Sequence, residues 1–244
     1  MKTNILGVPF DNVLPEQAVS IALTFLDDVT TSIIFTPNPE IVMLSQKDKE
    51  LSYALSSANL LIPDGIGIVY ASRLTSNKIK KRVPGIEFCT DLFSKITNTT
   101  HSMFFLGAAP NVAETAAKKI KECFSGISIV GTHNGFFKDN ETPEIIKKIN
   151  ASGADIVLVG LGFPRQQETW IFQHKDQFNA KIIIGVGGSF DVWSGRIPRA
   201  PKVFQKLGLE WFFRLLRQPK RIWRQRVLIK FAILVVYKKI RGEL

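Results

Sequence analysis

Asp64 stands between the apolar run 60–63 and the turn Gly65-Ile66-Gly67. A carboxylate at a strand end, facing a Gly-rich turn, is placed to act as a general base, and partial burial raises its pKa towards neutrality. The same position suits an N-cap for the next helix. Thr36 and Asn38 lie at the end of another apolar run. Their side chains suit a sugar or phosphate, or the turn ahead of a helix over 40–46. Arg82, in Lys81-Arg82-Val83-Pro84-Gly85, offers a guanidinium that grips diphosphate oxygens bidentately, or belongs to a solvated basic loop over 78–82. Gln166, Gln167 and Glu168 follow Pro164 at a helix start, where Glu also suits the helix dipole. Asp191, after Gly187-Gly188, carries the same two readings as Asp64.

Glycines punctuate the same places: Gly107-Ala108, Gly160-Leu161-Gly162 and Gly185-Val186-Gly187-Gly188 each follow an apolar run. Gly lets backbone N–H groups approach a phosphate, and helix N-termini favour anions, so a nucleotide-type ligand is expected there. Such loops are also common punctuation in α/β proteins. The usual fingerprints are absent. Gly65-x-Gly67, Gly160-x-Gly162 and Gly185-x-Gly187 lack the third glycine of the dinucleotide motif, and no P-loop occurs. There is no Asp-x-Asp pair of the kind that holds a divalent cation in many sugar-nucleotide transferases. Cys89 and Cys123 form no C-x-x-C, and His101, His133 and His174 show no metal-ligand spacing. No Ser or Cys pairs with a histidine as a hydrolase triad would. His133, in a loop, is the one histidine placed to meet a ligand.

The elements that must position these residues are short. Strands are expected at 32–36, 60–63, 103–107, 127–131, 156–160 and 182–186, with helices between them at 51–58, 86–96, 113–123, 142–151 and 166–174. The strand runs are β-branched and almost wholly apolar, as strands covered on both faces must be. The alternation predicts an α/β fold with a Rossmann-like, largely parallel sheet, whose ligands bind beyond the carboxyl ends of the strands.

The chain of 244 residues has a net charge of +11, distributed unevenly. Residues 196–244 hold 14 Lys and Arg against Glu210 and Glu243, a net +12; residues 1–195 net −1. The expected division is a catalytic core over 1–195 and a helical, basic, aromatic-rich appendage over 196–244, with helices at 207–217 and 220–241. Its apolar stretch 227–237 is interrupted by Lys230 and falls short of the roughly 20 residues a membrane span needs. Basic residues interleaved with Trp211, Phe212, Phe213, Trp223, Phe231 and Tyr237 suit an anionic membrane surface better than nucleic acid, which is not expected as a partner. A helical hairpin packed on the body, with a solvated basic face, is the plain structural reading. Nothing at the N-terminus resembles a signal peptide, so a cytoplasmic setting is expected.

Taken in order, the motifs resemble the WecG/TagA/CpsF glycosyltransferase family. They are Thr36-Pro37-Asn38-Pro39-Glu40, Pro63-Asp64-Gly65-Ile66-Gly67, Arg82-Val83-Pro84-Gly85, Phe105-Leu106-Gly107-Ala108 and Gly131-Thr132-His133-Asn134-Gly135-Phe136-Phe137. Further along come Gly160-Leu161-Gly162-Phe163-Pro164-Arg165-Gln166, Gly185-Val186-Gly187-Gly188-Ser189-Phe190-Asp191, Arg199-Ala200-Pro201-Lys202 and Leu209-Glu210-Trp211-Phe212-Phe213-Arg214-Leu215. Each motif alone is weak; the ordered set is specific and covers nearly the whole chain.

The resemblance implies an inverting, metal-independent transfer of a sugar from a UDP donor to an undecaprenyl-diphosphate-linked acceptor, with no cofactor. The branch related to wall teichoic acid synthesis moves N-acetylmannosamine to the 4-hydroxyl of undecaprenyl-diphospho-N-acetylglucosamine. Other branches use N-acetylmannosaminuronic acid, glucose, galactose or glucuronic acid. A non-catalytic protein that binds anionic lipid or nucleic acid is the remote alternative. By resemblance, Asp64 is the base, Thr36 and Asn38 line the sugar pocket, and Arg82 sits near the diphosphate. Gly107, Ala108, Gly135, Gly162, Gly187 and Asp191 belong to the donor cradle. Arg214, Arg217, Arg221 and Arg224 neutralise the lipid diphosphate from an enzyme peripheral to the inner membrane face, and a homo-oligomer is compatible with the family. The family pattern Pro-Lys-Gln-Glu-x-Trp is one residue longer here, so Gln166 and Gln167 share the catalytic-site assignment.

Overall fold

A computed structural model describes residues 2–162, 166–206, 208–217 and 222–244, with the side chains of 206, 214, 217 and 222–225 outside the description. The chain runs β1 (Lys2–Ile5), β2 (Val8–Asp11), α1 (Pro15–Thr24), β3 (Ser32–Phe35), α2 (Pro39–Ser45), α3 (Lys49–Ser56), β4 (Leu60–Leu61), α4 (Ile66–Ser72) and α5 (Gly85–Ile96). It continues with β5 (Ser102–Gly107), α6 (Val112–Cys123), β6 (Ser128–His133), α7 (Thr142–Ala151), β7 (Ile156–Gly160), α8 (Gln167–His174), β8 (Ile182–Gly185) and α9 (Ser189–Trp193). The C-terminal helices are α10 (Lys202–Lys206), α11 (Glu210–Arg217) and α12 (Ile222–Ile240).

Among the described residues, six strands form one parallel sheet in the order β4-β3-β8-β7-β5-β6. The expected Rossmann-like core is therefore present. Side chains alternate between its two faces, as a period of two requires. Ile34, Met103, Phe105, Ile156, Leu158, Ile182 and Ile184 pack with residues of α1, α5 and α6. Ile33, Phe35, Phe104, Leu106, Val157, Val159 and Ile183 pack on the other side with residues of α2, α3, α4, α7, α8 and α12. Burial on both faces is why these runs read as continuous apolar stretches.

The sequence did not announce the antiparallel hairpin of β1 and β2, nor α1. The hairpin turn places Leu6 at φ +52° and Gly7 at φ +86°. Asn4 Oδ1 accepts from Gly7 N–H, and the Leu6 side chain is buried, so packing holds a branched residue where glycine or asparagine is usual. Asp11 Oδ2 accepts from Leu61 N–H at 2.9 Å, which fastens the hairpin to β4.

The C-terminal helix α12 contacts α2 and α4. Phe231 and Val235, one helical turn apart, are 4% and 2% exposed and join the same core as β3 and β7. Ile229, Ile233, Val236, Tyr237 and Ile240 are exposed. Among the described residues, no helix is long and apolar enough to cross a membrane.

Phe231→Ala is expected to cost about 3 kcal/mol, because it empties a closed site. The loss is read as a lower denaturant midpoint at unchanged m-value. Ile229→Ala, at a position 64% exposed, is expected to stay within about 0.5 kcal/mol. Small and equal effects would mean that α12 does not dock through this face.

Candidate active site

The carboxyl ends of β5 and β7 approach with no side chain between them. Gly107 pairs with Gly160 in register. Gly107 has φ +143°, and a Cβ there would lie 2.3 Å from the Gly160 carbonyl oxygen. A Cβ on Gly160 would in turn lie 2.7 Å from the carbonyl oxygen of Gly187, beyond β8. Ala108 N–H donates to Gly160 O at 2.9 Å, and Gly135 N–H donates to Ala108 O at 2.8 Å. Gly135, Ala108, Gly107, Gly160 and Gly187 thus form an arc of contacting backbone along the sheet's carboxyl edge. From this edge β5 leads to α6 on one face and β7 to α8 on the other, and ligands of open α/β sheets bind at such divergences. Gly162 and Gly187 are exposed there.

Asp64, Thr36 and Gln167 converge on the neighbouring ends of β4, β3 and β8. Asp64 is half-buried, and its Oδ2 accepts from Gly85 N–H at 3.4 Å. It is not the N-cap of α4: Gly65 occupies that position and supplies no side chain. A Cβ on Gly85 would lie 2.8 Å from Thr36 Oγ1, so Thr36 and the start of α5 are in contact. Thr36 Oγ1 donates to Gly185 O at 3.4 Å. Asn38 caps α2 through its Oδ1, which accepts from Glu40 and Ile41 N–H; the cap does not engage its Nδ2. The cap aims the turn that carries Thr36.

The two glutamines separate in space. Gln167 is buried; its Oε1 accepts from Gly187 N–H at 3.0 Å and its Nε2 donates to Glu168 Oε1 at 3.0 Å. Gln166 is half-buried, at the N-cap of α8, and donates to Glu168 Oε2. Gln167 is therefore the one that reaches the Gly-rich turn.

Arg82 is held by the C-terminal segment. Its Nη2 lies 2.8 Å from Glu210 Oε2, with both side chains mostly buried, so the solvated-loop reading fails for this residue. Val83 N–H donates to Pro63 O, which lays the Arg82 segment beside Asp64. Asp191 lies 3.6 Å from Arg196. His133 is not in a loop: it is the last residue of β6, paired with Leu106 of β5, and its Nδ1 is bonded to Asn134 O. Arg221 and the side chains of Arg214, Arg217 and Arg224 lie outside the described residues. Among the described residues, no group of three or more His, Cys, Asp or Glu is placed to hold a metal ion.

The model of the glycosyl transferase WecG/TagA/CpsF family matches residues 3–243. The chain belongs to the WecG/TagA/CpsF family. It is 37% identical to a protein of Bacillus spizizenii over 96% of this chain and 89% of that one. It is 38% identical to a protein of Staphylococcus aureus over 91% of this chain and 87% of that one. Both relatives are named N-acetylglucosaminyldiphosphoundecaprenol N-acetyl-β-D-mannosaminyltransferase.

Within this WecG/TagA/CpsF chain, sequence reasoning passed over three participants. Gly85 was visible only as part of a motif, although its N–H meets Asp64 and its missing side chain makes room for Thr36. Glu210 gave no sign that it pairs with Arg82 across 128 positions. Glu168 read as a residue suited to a helix dipole, yet it is buried against both glutamines.

Gly107→Ala is expected to destabilise the protein by at least about 2 kcal/mol, combining a disfavoured φ with overlap on a backbone carbonyl. A thermal midpoint within about 2 °C of wild type would show that the β5–β7 edge can open without cost.

Proposed function

We propose that the protein transfers N-acetylmannosamine from UDP-N-acetylmannosamine to the 4-hydroxyl of undecaprenyl-diphospho-N-acetylglucosamine, in surface-polymer synthesis of the wall teichoic acid type. The observation that carries this reading is near-full-length similarity to two proteins named for that transfer. Asp64, half-buried where the loops after β3, β4 and β8 meet, supports it chemically.

The step is an inverting displacement. Asp64 takes the proton from the acceptor 4-hydroxyl as that oxygen attacks the anomeric carbon. The bond from that carbon to the UDP β-phosphate oxygen breaks, and its electron pair leaves with UDP. Arg82 and the backbone N–H of Gly188, in the exposed turn after β8, stabilise the charge that builds on the leaving diphosphate. Thr36 lines the sugar pocket, and Gly135, Gly162 and Asp191 complete the donor cradle. The reaction needs no metal on this reading, in keeping with a sequence that lacks an Asp-x-Asp pair.

Residues 196–244 form the membrane-associating appendage in this proposal, attached to the cytoplasmic face and not spanning the bilayer. The exposed apolar positions of α12, with Lys230 and Lys239 exposed among them, support a helix lying at an anionic surface. Arg214, Arg217, Arg221 and Arg224 would meet the lipid diphosphate there.

The test is UDP release with a short-chain polyprenyl-diphospho-N-acetylglucosamine acceptor, EDTA and a panel of UDP-sugars. Turnover is expected with UDP-N-acetylmannosamine, falling 10²–10⁴-fold in Asp64→Asn through loss of the base. Turnover with another donor alone would overturn the substrate assignment. An undiminished Asp64→Asn rate would overturn the mechanism.

A further inference from the structure

Glu168 is a buried carboxyl that the proposed chemistry leaves unused. It is 3% exposed, at the second position of α8. One oxygen accepts from Gln166 Nε2 and the other from Gln167 Nε2. Burial pushes its pKa up, while the Gln167, backbone and Gln166 hydrogen bonds pull the other way. A helix N-terminus also favours the ionised form.

The consequence lies one bond further on. An amide side chain can turn over, exchanging its oxygen and nitrogen. Here neither end of Gln167 is free to do so. Glu168 Oε1 accepts from the Gln167 NH₂ and so holds that end. Gly187 N–H can only donate, so it holds the Gln167 oxygen. Gly187 has φ +52° and opens the exposed turn that follows β8. An amide at 168 offers one acceptor oxygen where the carboxyl offers two, so the Gln166 and Gln167 NH₂ groups compete for it. When Gln167 loses that oxygen its amide can turn, and the hold on Gly187 is released.

We infer that Glu168 is a positioning residue that acts through Gln167 to set the Gly187–Gly188 turn in the conformation that receives the donor diphosphate. The inference rests on the sugar-nucleotide reading of the site.

Titration calorimetry with UDP on wild type, Glu168→Gln, Gln167→Ala and the double variant tests it, with donor KM and kcat measured alongside. Glu168→Gln is expected to raise the UDP Kd and the donor KM about tenfold and to change kcat less than threefold. The double variant is expected to bind no more weakly than Gln167→Ala alone, since both substitutions break one relay. A carboxylate that served only the fold would lower the unfolding midpoint and leave the Kd of the folded protein unchanged. UDP binding by Glu168→Gln within twofold of wild type, or effects that multiply in the double variant, would overturn the inference. If Glu168→Gln does not fold, Glu168→Asp carries the same comparison, because it keeps the charge but draws the oxygens back by a methylene. Weaker UDP binding that does not add to Gln167→Ala then supports the relay, and wild-type binding overturns it. Failure of the wild-type protein to bind UDP would instead overturn the sugar-nucleotide reading on which the inference rests.

Discussion

Backbone meets backbone at the carboxyl edge of the sheet, and the rest of the site depends on that approach. Between Gly107 and Gly160 there is no room for a methyl group, nor is there between Gly160 and Gly187. Three parallel strands therefore end in contact and their chains diverge from a common line. The floor of the resulting crevice is peptide. The N–H groups of Ala108, Gly135 and Gly187 are held by Gly160 O, Ala108 O and Gln167 Oε1, so the floor keeps its shape largely through backbone bonds. Among the described residues, Thr36, Asp64 and Gln167 arrive at its flank from the ends of β3 and β4 and the start of α8.

That flank is held together by the C-terminal segment. Glu210 grips Arg82, and the segment containing Arg82 continues to Gly85, whose N–H meets Asp64. A Cβ on Gly208 would fall 3.0 Å from Ile66, and one on Gly67 3.9 Å from Phe231. The loop bearing Asp64 thus leads into a helix touched by two parts of the appendage. The Arg82–Glu210 pair is mostly buried, so loss of either partner leaves an uncompensated charge in a place poor in water. Arg199 and Glu87 make a second link at 2.6 Å, from the same segment to α5. A strongly basic tail does not simply hang from a neutral body: its one carboxylate in α11 and two of the body's side chains fix where the tail lies.

The sheet was legible because its strands are buried on both faces. A run such as Ile182–Gly185 has no solvent side to interrupt it, and its length excludes a helix. The hairpin of β1 and β2 was not legible, because each strand has four residues and the turn relies on Leu6 at positive φ. Strand-end placement sufficed to put Asp64 and Thr36 at the carboxyl edge of the sheet. It could not decide whether Asn38 faces a ligand or caps α2, because both uses need the same short polar side chain at the same spot. Nor could spacing separate Gln166 from Gln167. Adjacent residues at a helix start point about 100° apart, so the choice is made by what stands opposite each, and the Gly187 turn is brought there only by the fold. Glu168 was hidden for a related reason: a carboxylate in a first helical turn is ordinarily solvated, and only tertiary packing buries it.

The last helix shows why composition alone left the tail between two readings. A helix that is apolar around most of its circumference can be a core element or lie at a bilayer, and α12 divides its apolar residues between two directions. Phe231 and Val235 face α2 and α4, while Ile229, Ile233, Val236 and Tyr237 face outward. The inward pair fixes the helix's rotation about its own axis, and that rotation fixes where the outward residues point. A helix seated only on lipid would be free to roll and tilt. One keyed into the core beside Gly67 holds its outer face at a set angle to the loop that begins at Asp64. On the proposed reading, an acceptor hydroxyl must meet Asp64 while its diphosphate stays at the membrane surface. The internal face of α12 is then what converts attachment to a surface into registration of the acceptor with the base.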